Sequence, residues 1–354
     1  MKNKLRKILE SKHVEASAPC RIDFGGTLDI KTFYLPLRHL EPCTFNIALR
    51  LPTRVELLPF EDKMVRISSK GFQDAQFSID EVPFDHPMGL MFAIAAYFRA
   101  GGVHIRIDSS SPPRSALGGS SAAGVALIAA LSSALDESGK NALSKSDIAM
   151  LAHAIEESTA GVPCGFQDQL AAVFGGVNAW HWPARINDSP FRRREIIPVE
   201  EHVKLEKHIA VAYCGVPHES VNINSRWVKQ FLSGRFRREW QEIISCTKKF
   251  IDSLVEHNYK DASEFMLRET AIRTEMTPDV LDNLGKKLVE AAIQNHCGAR
   301  FTGAGGGGCL WAIGDSTDIS RLKEAWREML LEREEAFLLN AVIDSRGLEI
   351  IKKE

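Results

Sequence analysis

The first third of the chain alternates apolar and polar residues over short stretches. The segments "NIALRLPTRVELLPF" (46–60), "DKMVRISSKGF" (62–72) and "VHIRIDSS" (103–110) have the period of two that is typical of half-buried strands. Between the last two, "HPMGLMFAIAAYFRAGG" (86–102) has a helical apolar run that stops at a glycine pair. We therefore expect short strands broken by turns, and one helix, before residue 111.

The rest of the chain mixes longer helical patterns with short apolar runs. Helices are predicted in "SSAAGVALIAAL" (120–131), "LSKSDIAMLAHAIEEST" (143–159), "PDVLDNLGKKLVEAAIQNH" (278–296) and "ISRLKEAWREMLLEREEA" (319–336). The runs "ARF" and "CLWAI", on either side of a glycine cluster, are typical of buried strands. Strands and helices do not alternate in a regular βαβ rhythm, which favours an α+β fold over a doubly wound sheet.

Chain length indicates two lobes, because 354 residues exceed one typical domain. The segment from 186 to 215 is more charged than its surroundings, so we place the boundary there, with lobes at 1–200 and 201–354. The composition, 44% hydrophobic and 25% charged, is that of a globular protein. A formal net charge of -2 argues against a nucleic-acid partner, which calls for a basic surface.

The seven cysteines are scattered, without a CxxC pair or a Cys/His zinc spacing, so free thiols in a reducing compartment are the simplest account. The start, "MKNKLRKILESKHVEAS", has no apolar signal core, and no apolar run approaches the roughly 20 residues that span a bilayer. We expect a cytoplasmic protein without a membrane partner.

The stretch "PPRSALGGSSAA" (112–123) places two glycines and two serines where a buried helix begins. Gly118 and Gly119 allow the backbone to approach a phosphate, and the free N–H groups and dipole of a helix start attract anions. The serine hydroxyls would lie within reach of a magnesium ion. A plain serine cap on a core helix is the alternative interpretation. The chain has no GxxxxGK[ST], so this is not a Walker A loop.

The stretch "EESTAGVPCGFQDQ" (156–169) separates two carboxylates by a Gly/Pro/Cys turn. A chain reversal there would bring Glu156 and Asp168 together. Magnesium takes one or two carboxylates along with substrate phosphates, and a second carboxylate can accept a proton from an attacking hydroxyl. Solvated acids at helix ends are the alternative.

The stretch "FTGAGGGG" (301–308) satisfies GxGxxG at Gly303, Gly305 and Gly308. A dinucleotide site is rejected because the motif heads no βαβ unit and is followed by a charged helix. Five glycines in six positions are better explained by a close approach of the backbone to a ligand or to another loop.

Three stretches of the chain, in this order, resemble the motifs of the GHMP kinases, a family that includes galactokinase, homoserine kinase and mevalonate kinase. "SAPCRIDFGGTLDI" (17–30) resembles the first motif, "PPRSALGGSSAA" the second and "FTGAGGGGC" the third. The resemblance implies a two-lobed fold, with an N-terminal lobe of the ribosomal protein S5 domain 2 type and a ferredoxin-like C-terminal lobe. It also implies ATP and Mg²⁺ as cofactors.

The resemblance also implies residue roles. Asp168 matches the catalytic aspartate and Arg21 the arginine beside it, Ser120 and Glu156 match the metal ligands, and Asp29 matches the acid that holds sugar hydroxyls. The nucleotide-binding positions are Pro113, Leu117, Gly118, Gly119, Ser120, Ser121 and Ala122. Gly303, Gly305 and Gly306 are the further substrate-binding positions.

Within the family, "GFQDQLAAVFGGVNAW" (165–180) is most similar to the branch that phosphorylates heptose 7-phosphate at its anomeric carbon. The chain departs from the family pattern at Ala116 and Gly119, and its "GGTLD" is one residue shorter than the galactokinase equivalent. We therefore expect a kinase for a small sugar or sugar phosphate. Galactokinase or fucokinase, an isoprenoid kinase of the mevalonate type and a non-catalytic sugar- or nucleotide-binding regulator are the alternatives. A homodimer remains open, and the Arg192–Arg194 run is assigned no role.

Overall fold

A computed structural model of the chain describes residues 4–136, 142–183, 189–217 and 220–351. Two antiparallel-dominated sheets with packed helices confirm the predicted α+β class. No helix in these four ranges is long and apolar enough to cross a lipid bilayer.

The helices of the described residues, in chain order, are α1 (Lys4–Ser11), α2 (Lys31–Tyr34), α3 (Gly89–Tyr97), α4 (Gly119–Leu135), α5 (Lys145–Ala160), α6 (Gln167–Phe174), α7 (His202–Leu205), α8 (Ser220–Leu232), α9 (Arg237–Val255), α10 (Tyr259–Met276), α11 (Asn283–Gln294) and α12 (Ser316–Leu330). Short 3₁₀ turns lie at Arg38–Leu40, Val199–Glu201, Glu206–His208 and Pro278–Val280.

The strands are β1 (Val14–Phe24), β2 (Cys43–Pro59), β3 (Met64–Ser69), β4 (Ala75–Ser78), β5 (Val103–Ser109), β6 (Val177–His181), β7 (Arg192–Ile197), β8 (Ile209–Tyr213), β9 (Gly298–Phe301), β10 (Cys309–Ile313), β11 (Phe337–Leu339) and β12 (Glu349–Ile351).

The first sheet is built around the long strand β2. Its path runs β12-β1-β2-β5-β3-β4, and the beginning of β2 also pairs with β6, which pairs with β7. Only the β3–β5 pair is parallel among the pairings described. The second sheet has the order β11-β8-β10-β9 and is antiparallel. Since β12 returns to the first sheet, the end of the chain belongs with its beginning, and the boundary at residue 200 stays a prediction.

Helix α4 is the centre of the first lobe's core. Alanine, valine, leucine and isoleucine make up most of it, and it packs on β1 and β2 with most of its residues buried. It begins at Gly119, because Gly118 has a φ of 74° that a glycine adopts readily. The predicted helix is confirmed, but no side chain caps it, so the serine-cap interpretation is wrong. Helix α5 does begin with a serine capping box, at Ser144 and Asp147.

Two predicted helices differ from the structure at their ends. The predicted helix at 278–296 starts only at Asn283, because residues 278–280 form a 3₁₀ turn with proline at its start. The predicted helix at 319–336 begins earlier, at Ser316, and ends at Leu330.

The glycine cluster lies in the connection between β9 and β10, where the two lobes meet. A Cβ at Gly308 would lie 2.6 Å from the carbonyl oxygen of Ser115, in the loop before α4. Gly308 also has a φ of 79°, so both the backbone conformation and the contact require glycine. The predicted close approach of the backbone is therefore confirmed, and it brings the third motif against the second.

Candidate active site

The loop before α4 places the start of that helix where the two lobes meet. The first helical hydrogen bond joins the Ala122 N–H to the Gly118 carbonyl at 2.9 Å. The N–H groups of Gly119, Ser120 and Ser121 therefore precede the helical bonding pattern, as at any helix start. Such a cluster of N–H groups at the positive end of a helix dipole can hold a phosphate.

Arg21, on β1, clamps Asp168, the second residue of α6. Its Nε donates to Asp168 Oδ1 at 2.8 Å and its Nη2 to Oδ2 at 2.9 Å, which is a bidentate pair. The third nitrogen, Nη1, donates to the Ala116 carbonyl at 2.6 Å. A Cβ at Gly118 would lie 3.3 Å from Asp168 Oδ2. One arginine thus fixes this carboxylate directly beside the helix start of α4.

Burial raises the pKa of Asp168, although the charge of Arg21 opposes this shift. About a quarter of its side chain remains exposed, whereas Arg21 is almost fully buried. A rigidly held, partly exposed carboxylate with a raised pKa is suited to accept a proton from a hydroxyl group.

Glu156, near the end of α5, lies across the start of α4 from Asp168. Its Oε2 accepts hydrogen bonds from Ser121 Oγ at 2.9 Å and from Gln169 Nε2 at 2.7 Å. Burial, and next the nearby charge of Asp168, raise the pKa of Glu156 to about 7. A carboxylate and a hydroxyl side by side at a helix start that can hold a phosphate are oxygen ligands that suit Mg²⁺.

Asp29 lies beyond Asp168, in the loop after β1. Its Oδ2 accepts the backbone N–H of Gln167 at 3.0 Å, while its buried Oδ1 has no hydrogen-bond partner within the described residues. Burial raises the pKa of Asp29 to about 6. Gly165 leaves room for this carboxylate, since a Cβ there would lie 2.0 Å from Oδ2. A buried acceptor atom left open in this way can receive a hydroxyl group.

The third motif reaches the site through its first glycine. The Gly303 N–H donates to Asp23 Oδ1 at 2.6 Å, and Asp23 Oδ1 lies 3.5 Å from Arg21 Nη1. Gly305 and Gly306 instead contact Val280 and Ile223 in the second lobe. Their substrate-binding role stays a prediction.

The structure brings Arg21, Asp29, Glu156 and Asp168 to one end of α4, together with Gly118, Gly119, Ser121 and Gly303. Ser120 lies beside them but is exposed, whereas Ser121 makes the contact with Glu156. The Ala122 N–H is bonded within the helix, to the Gly118 carbonyl, and the Leu117 carbonyl accepts the backbone N–H of Arg21. Pro113 lines a neighbouring cavity.

Sequence reasoning missed Gln169 and Asp23. A simple pattern could have identified both residues. Gln169 directly follows Asp168, and Asp23 lies two residues after Arg21, so on a strand its side chain points to the same face.

Comparison with known proteins places the chain in a family. The family model described as GHMP kinases N terminal domain matches residues 88–176, and the one described as GHMP kinases C terminal matches residues 250–331. The chain belongs to the GHMP kinase family, whose members are ATP-dependent kinases. The implied S5-like and ferredoxin-like lobes are confirmed with it.

Individual relatives are distant and differ in substrate. The chain is 26% identical to the mevalonate kinase of Pyrococcus furiosus, over 75% of this chain and 81% of that protein. It is 25% identical to the D-glycero-alpha-D-manno-heptose 7-phosphate kinase of Campylobacter jejuni, over 62% of this chain and 63% of that one. A solved D-glycero-D-manno-heptose 1-phosphate kinase from Bacteroides thetaiotaomicron shares the fold, with a TM-score of 0.72, 16% identity and coverage of 96% and 99%.

Glu156→Gln is expected to stabilise the protein at pH 8. The folded protein holds the Glu156 proton with a pKa of about 7, against an ordinary value of 4.5, so the stability contributed by the protonated form is lost as pH rises from 4.5 through 7. Glutamine removes that loss, which is on the order of 1–3 kcal/mol in the free energy of unfolding at pH 8.

Urea unfolding at pH 5 and pH 8 measures the effect, and the difference between variant and wild type should shrink at the lower pH. Glu157→Gln is the control, because Glu157 is partly exposed and pairs with Lys31 at 3.1 Å. An equal or lower stability of Glu156→Gln at pH 8 would contradict the raised pKa.

Proposed function

We propose that this protein is an ATP-dependent sugar kinase that phosphorylates the anomeric hydroxyl of a heptose 7-phosphate or a related sugar. The observation that carries the proposal is the bidentate Arg21–Asp168 pair, fixed to the loop whose helix start would hold the phosphates. The Campylobacter relative named as a heptose 7-phosphate kinase agrees with it.

Phosphoryl transfer needs positioning and charge neutralisation more than covalent chemistry. In the proposed reaction, the N–H groups of Gly119, Ser120 and Ser121 bind phosphate oxygens of ATP. Asp168 orients the sugar hydroxyl and accepts its proton as the oxygen attacks the γ-phosphorus, and the bond from that phosphorus to the β-phosphate oxygen breaks. Arg21 holds the Asp168 carboxylate in place throughout.

Glu156 with the Ser121 hydroxyl would hold Mg²⁺, and Ser120 lies next to them at the helix surface. The ion, when bound, supplies positive charge to the phosphates. Gln169 keeps the Glu156 carboxylate oriented through its hydrogen bond at 2.7 Å.

A cavity of about 650 Å³ adjoins the phosphate-binding loop and would take the nucleotide base. Its wall includes Phe72, His86, Pro113 and Tyr213, which offer flat apolar surfaces and hydrogen-bonding edges. We assign Pro113 to base binding on this ground.

Asp29 favours a sugar over mevalonate as acceptor. Its buried, open Oδ1 can accept a hydrogen bond from a hydroxyl, which every sugar supplies. Mevalonate has two hydroxyls and a carboxylate, and only an orientation that keeps this carboxylate away from Asp29 avoids like-charge repulsion, whereas a sugar ring offers several neutral hydroxyls. Since mevalonate kinases are among the relatives, mevalonate is nevertheless the second candidate.

The test is magnesium-dependent ADP release with a panel of acceptors: heptose 7-phosphate, galactose, fucose, mannose and mevalonate. We expect release with heptose 7-phosphate, and Asp168→Asn should lose on the order of 10²-fold in rate, which excludes a contaminating kinase. Release with mevalonate alone would overturn the sugar assignment. ATP binding without turnover of any acceptor would favour a non-catalytic regulator.

The two serines of the second motif are expected to differ. Ser121→Ala removes the hydroxyl that contacts Glu156 and should raise the magnesium concentration needed for half-maximal rate by about tenfold. Ser120→Ala, one position earlier on the same helix, is the matched comparison. A larger effect of Ser120→Ala would return the metal ligand to Ser120, as the family resemblance implies. Thermal unfolding of both variants checks that the fold is intact.

A further inference from the structure

Four charged side chains form a fully buried network behind the candidate active site. Glu269, on α10, accepts Arg273 Nε at 2.7 Å on one oxygen and Arg300 Nε at 2.9 Å on the other. Arg300, on β9, also donates to the main-chain carbonyl of Asp23 at 3.2 Å and lies 3.3 Å from Asp23 Oδ2. None of the four side chains is exposed to solvent.

The network ends on the loop that carries Asp29. Arg273 donates from Nη2 to the Gly26 carbonyl at 2.6 Å and from Nη1 to Thr27 Oγ1 at 2.9 Å. Its guanidinium lies over the rings of Trp227 and Trp240, at 4.7 and 4.9 Å from their centres. Arg273 is thus held by aromatic faces and by Glu269, with its remaining donors directed at two consecutive residues of this loop.

The loop needs to be held, because its backbone is strained at Thr27. This residue has a φ of 74°, a left-handed conformation that a β-branched side chain rarely adopts. Strain of this kind persists only where the surroundings impose it, and it is concentrated at functional sites. Asp29 follows two residues later.

Stability alone does not explain the network. Buried ion pairs are often no more stabilising than apolar residues of the same volume, because each charge loses its hydration. Burial by itself would raise the pKa of Glu269, yet the facing guanidiniums of Arg300 and Arg273 lower it, so the carboxylate stays ionised and both arginines stay paired.

We propose that Arg273, fixed by Glu269, is the positioning residue for the acceptor site: it imposes the strained turn at Gly26–Thr27 and thereby sets the place of Asp29. Helix α10 of the second lobe would in this way determine how tightly the first lobe binds the acceptor. The inference rests on the proposed function in one respect, the role of Asp29 in binding the acceptor.

Two variants test the proposal. Arg273→Lys keeps the charge that Glu269 requires but cannot reproduce the forked hydrogen bonds to the loop. Thr27→Gly removes one accepting group and releases the strain, since glycine adopts this φ freely, so it should fold normally. Arg268→Lys is the matched control, because Arg268 lies on the same helix and pairs with Glu242 at 2.6 Å on its exposed face.

The first measurement is hydrogen exchange of the peptide covering residues 24–33, in each variant without substrates. We expect faster exchange there in Arg273→Lys and Thr27→Gly, with the peptide covering 119–135 and the whole Arg268→Lys protein unchanged. Unchanged exchange at 24–33 in both test variants would overturn the proposal.

The second measurement is the KM for heptose 7-phosphate, or for galactose if only that is phosphorylated, beside the KM for ATP. We expect the acceptor KM to rise about tenfold in both variants while the ATP KM stays constant. Equal rises in the two constants would mark a merely structural role and overturn the proposal, as would an unchanged acceptor KM in a variant whose loop exchanges faster. If the wild type phosphorylates neither acceptor, the proposed function fails, and the hydrogen-exchange comparison alone decides whether Arg273 holds the loop.

Discussion

The arrangement of the whole centre depends on the forked contact between the Arg21 guanidinium and the Asp168 carboxylate. The three donating nitrogens of Arg21 contact two different segments, α6 at Asp168 and the loop before α4 at the Ala116 carbonyl. Because a guanidinium is planar, these contacts fix the carboxylate in orientation as well as in distance. The start of α4, where phosphates would bind, and the group that would accept a proton are therefore held in one rigid unit.

The second lobe completes this unit by close packing. The glycine cluster allows the β9–β10 connection to touch the loop before α4, and the Gly303 N–H holds Asp23, which neighbours Arg21. The buried charges of Glu269, Arg273 and Arg300 continue the contact to the loop of Asp29. Metal, base and acceptor sites would then surround the same helix end, with parts contributed by both lobes.

The sequence allowed much of this site to be predicted, because its parts have local signals. Glycine and serine before an apolar run marked the start of α4, and a Gly/Pro turn between two acids predicted that Glu156 and Asp168 lie close together. Nothing in the sequence indicated which of the two serines at the start of α4 would face Glu156. The helix begins at Gly119, and its Ser121 contacts Glu156 while Ser120 is exposed.

Long-range contacts were beyond prediction for a different reason. Arg273 and Gly26 are far apart in the chain, and an arginine within a charged helix looks like a solvent-facing residue until the packing of Trp227 and Trp240 around it is known. The pairing of β12 with β1 could not be predicted from the sequence either, because the three residues of β12 have no pattern that specifies their partner strand.

The measurement that tests the central claim most directly is the turnover number of Arg21→Lys in two backgrounds, wild type and Asp168→Asn. If Arg21 acts through Asp168, lysine should lower the rate strongly where the carboxylate is present and have little further effect where asparagine replaces it, because residues that act as a unit do not contribute independently. An equal fold-loss in both backgrounds would mean that Arg21 and Asp168 act separately, and it would contradict this account of the site.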